Sequence, residues 1–127
     1  MKKIADTEWR LMRVLWHRGP VGAAEVIEQV LPETGWSHRT VRSLLNRLVK
    51  KGAVRAALVD GRNIYTAKVT QSQSVRLESR SFLNKVFEGD ASQMLVHFVE
   101  NEKMSAEQIK KLKALLDSKR GKPHEEP

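Results

Sequence analysis

The sequence predicts a mostly α-helical fold with a small β-hairpin: an N-terminal winged helix-turn-helix followed by a C-terminal helical dimerisation region. Three observations predict it. The stretch Trp36 to Arg55 contains a capped amphipathic helix with a basic outer face. Asp60-Gly61 separates two short runs rich in Val, Ile, Leu and Tyr, which is a strong hairpin signal. Beyond the residues that follow the hairpin, only helical spacing recurs.

The elements follow in chain order. Asp6 can cap a first helix, about Thr7–Arg18, with Glu8 in its first turn. Trp9, Met12, Leu15 and Trp16 form its apolar stripe, so both tryptophans read as core, and Gly19-Pro20 stops it. Pro20-Val21 is a short extended piece. A second helix, Ala23–Leu31, should bury Ala24, Ile27, Val30 and Leu31, and Pro32 should break it. A third helix spans about His38–Lys51. Val41, Leu44, Leu45, Leu48 and Val49 fall at i, i+3, i+4, i+7 and i+8, one buried stripe. Ser37 stands at the N-cap and Gly52 just past the end. Two helices joined by a turn, the second one basic, give the helix-turn-helix pattern. Strands at Ala53–Val59 and Asn63–Ala67 complete a wing, with Arg62 at its tip.

Val69 to Ser72 reads as a polar junction. Behind it, Val75, Ser79, Phe82, Leu83, Val86 and Phe87 form one stripe, ended by Gly89. Asp90 caps Ala91–Glu100, whose apolar face is Met94, Leu95, Phe98 and Val99. Ser105 and Gln108 have capping-box spacing at the head of Ala106–Ser118, where Ile109, Leu112, Leu115 and Leu116 line up. Three short amphipathic helices have too little mutual core to be stable alone. Burying Phe82, Leu83, Val86, Met94, Leu95, Phe98, Val99, Ile109, Leu112, Leu115 and Leu116 against a second copy would make a symmetric homodimer. Folding back onto the winged helix is the alternative. The expected domains are a DNA-binding domain over 1–70, a dimerisation region over 71–118, and a disordered, charged tail over 119–127.

Charge supports this division of labour. The chain has 127 residues and a net charge of +8. Residues 1–68 hold thirteen cationic and six acidic side chains, whereas 69–127 hold ten and nine. A basic front on a near-neutral back implies a polyanion-binding module joined to something with another job. The third helix and the residues just after it carry Arg39, Arg42, Arg47, Lys50, Lys51 and Arg55 and no Asp or Glu. On its exposed face, Arg39, Thr40, Arg42, Ser43 and Asn46 have the chemistry to read base edges in the major groove of duplex DNA. Arg47, Lys50, Lys51 and Arg62 suit phosphates, although Arg47 could brace the fold instead. Rival readings are a winged helix that docks an acidic protein, or an architectural DNA binder without sequence preference.

Other classes are disfavoured. There is no Cys, so no disulfide framework or thiolate site exists. The four His are scattered, without ligand spacing, and neither a Gly-rich phosphate loop nor a G-x-S-x-G motif is present. The expectation is a non-enzyme without cofactor or metal. No leader pattern is visible, and no apolar run approaches the roughly 18 residues of a membrane span, so a cytoplasmic protein without membrane insertion is expected.

Ordered motifs add a name. D-x-E-W (Asp6, Glu8, Trp9), W-S-x-x-T-V (Trp36, Ser37, Thr40, Val41) and L-L-x-R-L-x-K-K-G (Leu44, Leu45, Arg47, Leu48, Lys50, Lys51, Gly52) are followed by G-R-x-x-Y-T (Gly61, Arg62, Tyr65, Thr66). Together they resemble the penicillinase-repressor family, whose branches are typified by BlaI, MecI and CopY. Ser81–Asn84, Phe87–Gly89 and Phe98–Asn101 resemble the antibiotic-resistance branch, BlaI and MecI. The resemblance implies a homodimeric transcriptional repressor on a palindromic operator, controlling β-lactamase or other antibiotic-resistance genes. It also implies release by proteolysis, with a membrane sensor-protease as a partner. The family's cut maps to His97–Phe98, with His where the family has Asn. The copper-responsive branch uses a C-x-C motif, which a chain without Cys does not have.

Overall fold

Residues 3–120 are described by the structure, a computed structural model. Its elements run α1 (Asp6–Arg18), β1 (Val21–Gly22), α2 (Ala23–Thr34), α3 (His38–Lys51), β2 (Val54–Val59), β3 (Arg62–Ala67), α4 (Gln71–Phe87), α5 (Ala91–Asn101) and α6 (Ala106–Arg120). The chain divides into two compact units between Glu78 and Ser79. The first unit therefore reaches past residue 70 and takes in the opening turns of α4. There Ser74 is buried, and a reciprocal capping box between Thr70 and Gln73 starts the helix inside the expected polar junction.

The mostly helical winged helix is as expected. Leu11, Met12 and Leu15 of α1 pack with Val26, Ile27 and Val30 of α2 and with Val41, Leu44, Leu45 and Leu48 of α3. Ala53, just before β2, and Val54 and Tyr65 from the sheet close this core. Burying each large aliphatic chain of this kind stabilises the fold by about 1.5–3 kcal/mol. Trp9 and Trp16 lie half-buried against the core, edge to face at 5.6 Å, and the Trp16 indole donates to the Val69 carbonyl at 2.9 Å.

The hairpin gains a third strand. The antiparallel order is β1-β3-β2, with Val21 opposite Tyr65 and Val59 opposite Arg62. Asp60 and Gly61 form a two-residue turn with φ of 50° and 80°. Both angles are left-handed, as the right-handed twist of a tight hairpin demands. Arg62 is thus the first paired residue of β3 and stands beside the tip.

Local chemistry corrects three other expectations. α1 is capped by Ala5, not Asp6, because the Glu8 carboxylate turns back to accept the Ala5 N–H at 2.7 Å. Pro32 sits inside α2, which runs on to Thr34 and ends at left-handed Gly35. The missing proline N–H costs the Glu28 carbonyl its helical donor, but Glu28 and Pro32 are both exposed, so water can replace it. Ala24 and Leu31 of α2 are exposed, and the buried positions are Ala23, Val26, Ile27 and Val30.

The second unit holds the rest of α4 with α5 and α6. Asp90 caps α5 through the Gln93 N–H, and Ser105 and Gln108 close the expected capping box on α6. Neither α5 nor α6 has a buried residue. Of the tail expected to be disordered, Lys119 and Arg120 are helical, and 121–127 lie outside the described residues.

One polar group is fully buried in the first unit. Glu8 has 0 % exposure, bonds the Lys51 ammonium through Oε1, and lies 3.4 Å from Arg47 Nε through Oε2. Glu8→Ala should lower stability by about 3 kcal/mol, since it strands the partly buried Lys51 charge. The Glu8→Met, Lys51→Met pair should recover most of that loss, and urea unfolding measures both.

Candidate nucleic-acid interface

Sequence alone sets the ends of α3. The Thr40 N–H donates to Ser37 Oγ at 3.1 Å, which fixes the first turn. At the other end Gly52 adopts φ 83°, its N–H reaches the Val49 carbonyl, and the Ala53 N–H reaches the Leu48 carbonyl. This is a Schellman motif, and it turns the chain directly into β2. Between the caps one stripe is buried, so the opposite side must face water.

Arg39, Thr40, Arg42, Ser43, Asn46, Arg47 and Lys50 are all exposed on that side or its margins. Among the described residues, Arg39, Arg42 and Lys50 form no ion pair. Their charges meet only solvent, so a polyanion can neutralise them without breaking an internal contact. Ser43 and Asn46 stand between them and offer donors and acceptors to base edges. The Thr40 hydroxyl lies 3.0 Å from Ser37 Oγ, which leaves chiefly its methyl group for a ligand.

Three expected phosphate ligands are placed differently. Lys51 turns inward: its ammonium bonds Glu8 and the Lys3 carbonyl, and its side chain is only 17 % exposed. Its charge is therefore turned away from the exposed face of α3. Arg47 is shared, with its Nε near Glu8 and over half its side chain exposed. Arg62 crosses from the wing to α2, and its Nη1 donates to Glu25 Oε1 at 3.2 Å. Arg42, Gly22, Ala23, Ala24, Gly61, Arg62, Asn63 and Tyr65 line a groove of about 320 Å³ between α3, the start of α2 and the wing.

Sequence reading names Glu8 only as a first-turn and motif residue and passes over Glu25. Each sits at the third position of its helix and accepts the N–H of the cap residue, Ala5 and Gly22 respectively. That spacing is visible in sequence; the distant cation each one holds is not. The Gly22 N–H holds the Glu25 carboxyl below its ordinary 4.5; partial burial opposes this and Arg62 adds to it.

In the second unit Phe82, Phe87, His97 and Phe98 form an aromatic cluster with centroid separations of 5.9 to 6.5 Å. Phe82, Val86, Phe98, Val99, Ile109, Leu115 and Leu116 remain exposed in the single chain, while Leu83, Met94, Leu95 and Leu112 are half-buried. The His97–Phe98 bond lies inside α5, where the Asn101 carboxamide donates to the His97 carbonyl at 2.8 Å. Among the described residues no cluster of His, Asp or Glu could hold a metal ion, and no helix is long and apolar enough to cross a membrane.

A carboxyl depressed in the folded state stabilises above its unfolded pKa, and the effect is lost as pH falls through the folded value. Glu25 should therefore contribute fully above 4.5 and progressively less below it. Thermal unfolding of wild type and Glu25→Gln from about pH 6 to about pH 3 should show the wild-type advantage shrinking with acid.

Comparison with known proteins agrees with this architecture. The family model described as penicillinase repressor matches residues 4–118. The Bacillus licheniformis protein "Penicillinase repressor" is 32% identical over 128 residues, covering 98% of this chain and all of the relative. The "Methicillin resistance regulatory protein MecI" of Staphylococcus aureus (strain N315) is 31% identical over 117 residues, covering 92% of this chain and 95% of the relative. Among solved structures, the DNA binding domain of the repressor BlaI is similar, with a TM-score of 0.51 and 33% identity over 57% of this chain and 92% of that one. A structure described as the complex of hsRosR-S4 shares the fold alone, with a TM-score of 0.56 and 16% identity over 94% of this chain and 91% of that one. By family match and identity over almost its full length, the chain belongs to the penicillinase repressor family.

Proposed function

We propose that this chain is a sequence-specific transcriptional repressor that binds a palindromic DNA operator as a homodimer and controls antibiotic-resistance genes. The observation that carries the reading is the α3 face, where three unpaired cations flank Ser43 and Asn46 on a rigidly capped helix. Arg39, Arg42, Ser43 and Asn46, with the Thr40 methyl, read the major groove, and Lys50, Arg47 and Arg62 hold phosphates. The protein acts by occupying its site and catalyses no reaction. It needs no cofactor and works in the cytoplasm without entering a membrane. The names of its relatives, penicillinase repressor and methicillin resistance regulator, support the choice of regulated genes.

The second unit supplies the dimer. Its exposed Phe82, Val86, Phe98, Val99, Ile109, Leu115 and Leu116 give an apolar surface that a second copy would cover. Two-fold symmetry would then set half-sites about one helical turn, or a multiple of it, apart. Release would come from a membrane sensor-protease that cuts at His97–Phe98. A protease binds extended chain, so α5 must open first.

Two measurements test this reading. A duplex selected from a random pool should be palindromic and should keep its preference over random competitor at physiological salt. Arg42→Ala should then relax base preference by about 1–3 kcal/mol at one position, and Lys50→Ala should lower the salt slope by about one. Leu112→Asp should leave a monomer at micromolar concentration by sedimentation, and its DNA affinity should fall with it. A non-selective wild type, or a dimeric Leu112→Asp, contradicts the corresponding half.

A further inference from the structure

One carboxylate beside the basic face is positioned to temper the grip of the wing on DNA. Glu25 lies in the first turn of α2, and its Oε1 accepts from the Arg62 guanidinium of the wing. Its Oε2 is held by the Gly22 N–H. One oxygen is thus fixed to backbone and the other to a cation that can leave. The Arg62 side chain is 62 % exposed and that of Glu25 37 %, so the pair faces water and can exchange partners. Gly22 is what lets the pair lie so close: a Cβ there would stand 3.2 Å from Glu25 Oε2 and 3.3 Å from Arg62 Nη1. Arg42 of α3 and Arg62 line the same groove. A phosphate entering it meets Arg42 free and Arg62 engaged.

We propose that Glu25 is an affinity-setting residue, a fixed counter-charge that Arg62 must leave before the wing can hold a phosphate. The inference rests on the DNA-binding reading above. In a loose, non-specific complex the backbone stays hydrated and distant, and Arg62 remains on Glu25. The wing then adds nothing. When base contacts seat α3, a phosphate is held against the groove. Arg62 changes partners, and the cost of breaking its pair is subtracted from the wing contact. The strength of the seated complex is therefore tempered by a residue that touches no base.

The test uses the full chain as wild type, Glu25→Gln, Arg62→Gln and the double variant. Gln keeps an oxygen for the Gly22 N–H, so the helix cap survives. Each protein is titrated with the selected palindrome and with a scrambled duplex of equal length over a range of salt. Glu25→Gln should tighten the palindrome by up to about five-fold, the most an exposed ion pair can withhold. It should tighten the scrambled duplex by no more than that, because there Arg62 stays on Glu25 only while the pair outweighs the phosphate contact. Its salt slope on the scrambled duplex should steepen by about one as Arg62 becomes a phosphate ligand. In the Arg62→Gln background the same substitution should change the palindrome affinity far less, and that non-additivity identifies the route. Gly22→Ala crowds the pair without touching its charges and should act in the direction of Glu25→Gln. Equal effects of Glu25→Gln with and without Arg62 would overturn the proposal, as would an unchanged palindrome affinity in a protein whose wild type does select the palindrome. A wild type that prefers no sequence would remove the repressor reading, and this inference with it.

Discussion

The buried carboxylate of Glu8 governs how this molecule presents itself. Moving a charge out of water costs several kcal/mol unless a partner and hydrogen bonds replace the solvent. Here the replacements come from three places: the Ala5 N–H at the start of α1, the Lys51 ammonium at the end of α3, and the nearby Arg47 guanidinium. Apolar packing between α1 and α3 is non-directional and would tolerate some roll of one helix on the other. An ion pair at the end of α3 would not. It fixes the rotation of the helix about its axis, and with it the direction in which Arg39, Arg42, Ser43, Asn46 and Lys50 point.

The same local device is used twice, to different ends. Glu8 and Glu25 each occupy the third position of a helix, each satisfies the cap N–H, and each reaches a cation on a remote element. Burial separates them. Glu8 is sealed from solvent, so its pair is a permanent part of the fold. Glu25 and Arg62 are wet, so their pair is negotiable. One geometry yields a structural brace at one end of α3 and an exchangeable contact on the wing side. The second unit contrasts with both. Its helices α5 and α6 are capped by the local pairs Asp90–Gln93 and Ser105–Gln108, while much of its apolar surface stays uncovered in the single chain.

What could be read from sequence was what depends on neighbours in sequence. The stripe and caps of α3, the Asp60-Gly61 turn and the Ser105–Gln108 box are fixed by residues within a few positions of one another. What escaped depends on distant partners. Pro32 breaks helices in general, but here it lies on the exposed side of α2, where water can replace the lost donor. β1 is a two-residue strand that exists only because β3 lies beside it. Lys51 was counted with the outer cations, although it lies seven residues after Leu44 and three after Leu48, on the extension of the buried stripe. A lysine on that stripe implies a buried anion, and Glu8 is forty-three residues away. Arg62 hides in the same manner, since nothing near it in sequence names Glu25.

The outward set of α3 residues and the inward set that holds them should answer differently to DNA. Titrating the isotopically labelled full chain with a short duplex, while following backbone and side-chain nuclear magnetic resonance signals, separates the two. Large shifts are expected at Arg39, Arg42, Ser43, Asn46 and Lys50, with the Lys51 and Glu8 side chains unmoved. Shifts centred on Lys51, with Arg42 and Lys50 silent, would contradict this division of α3.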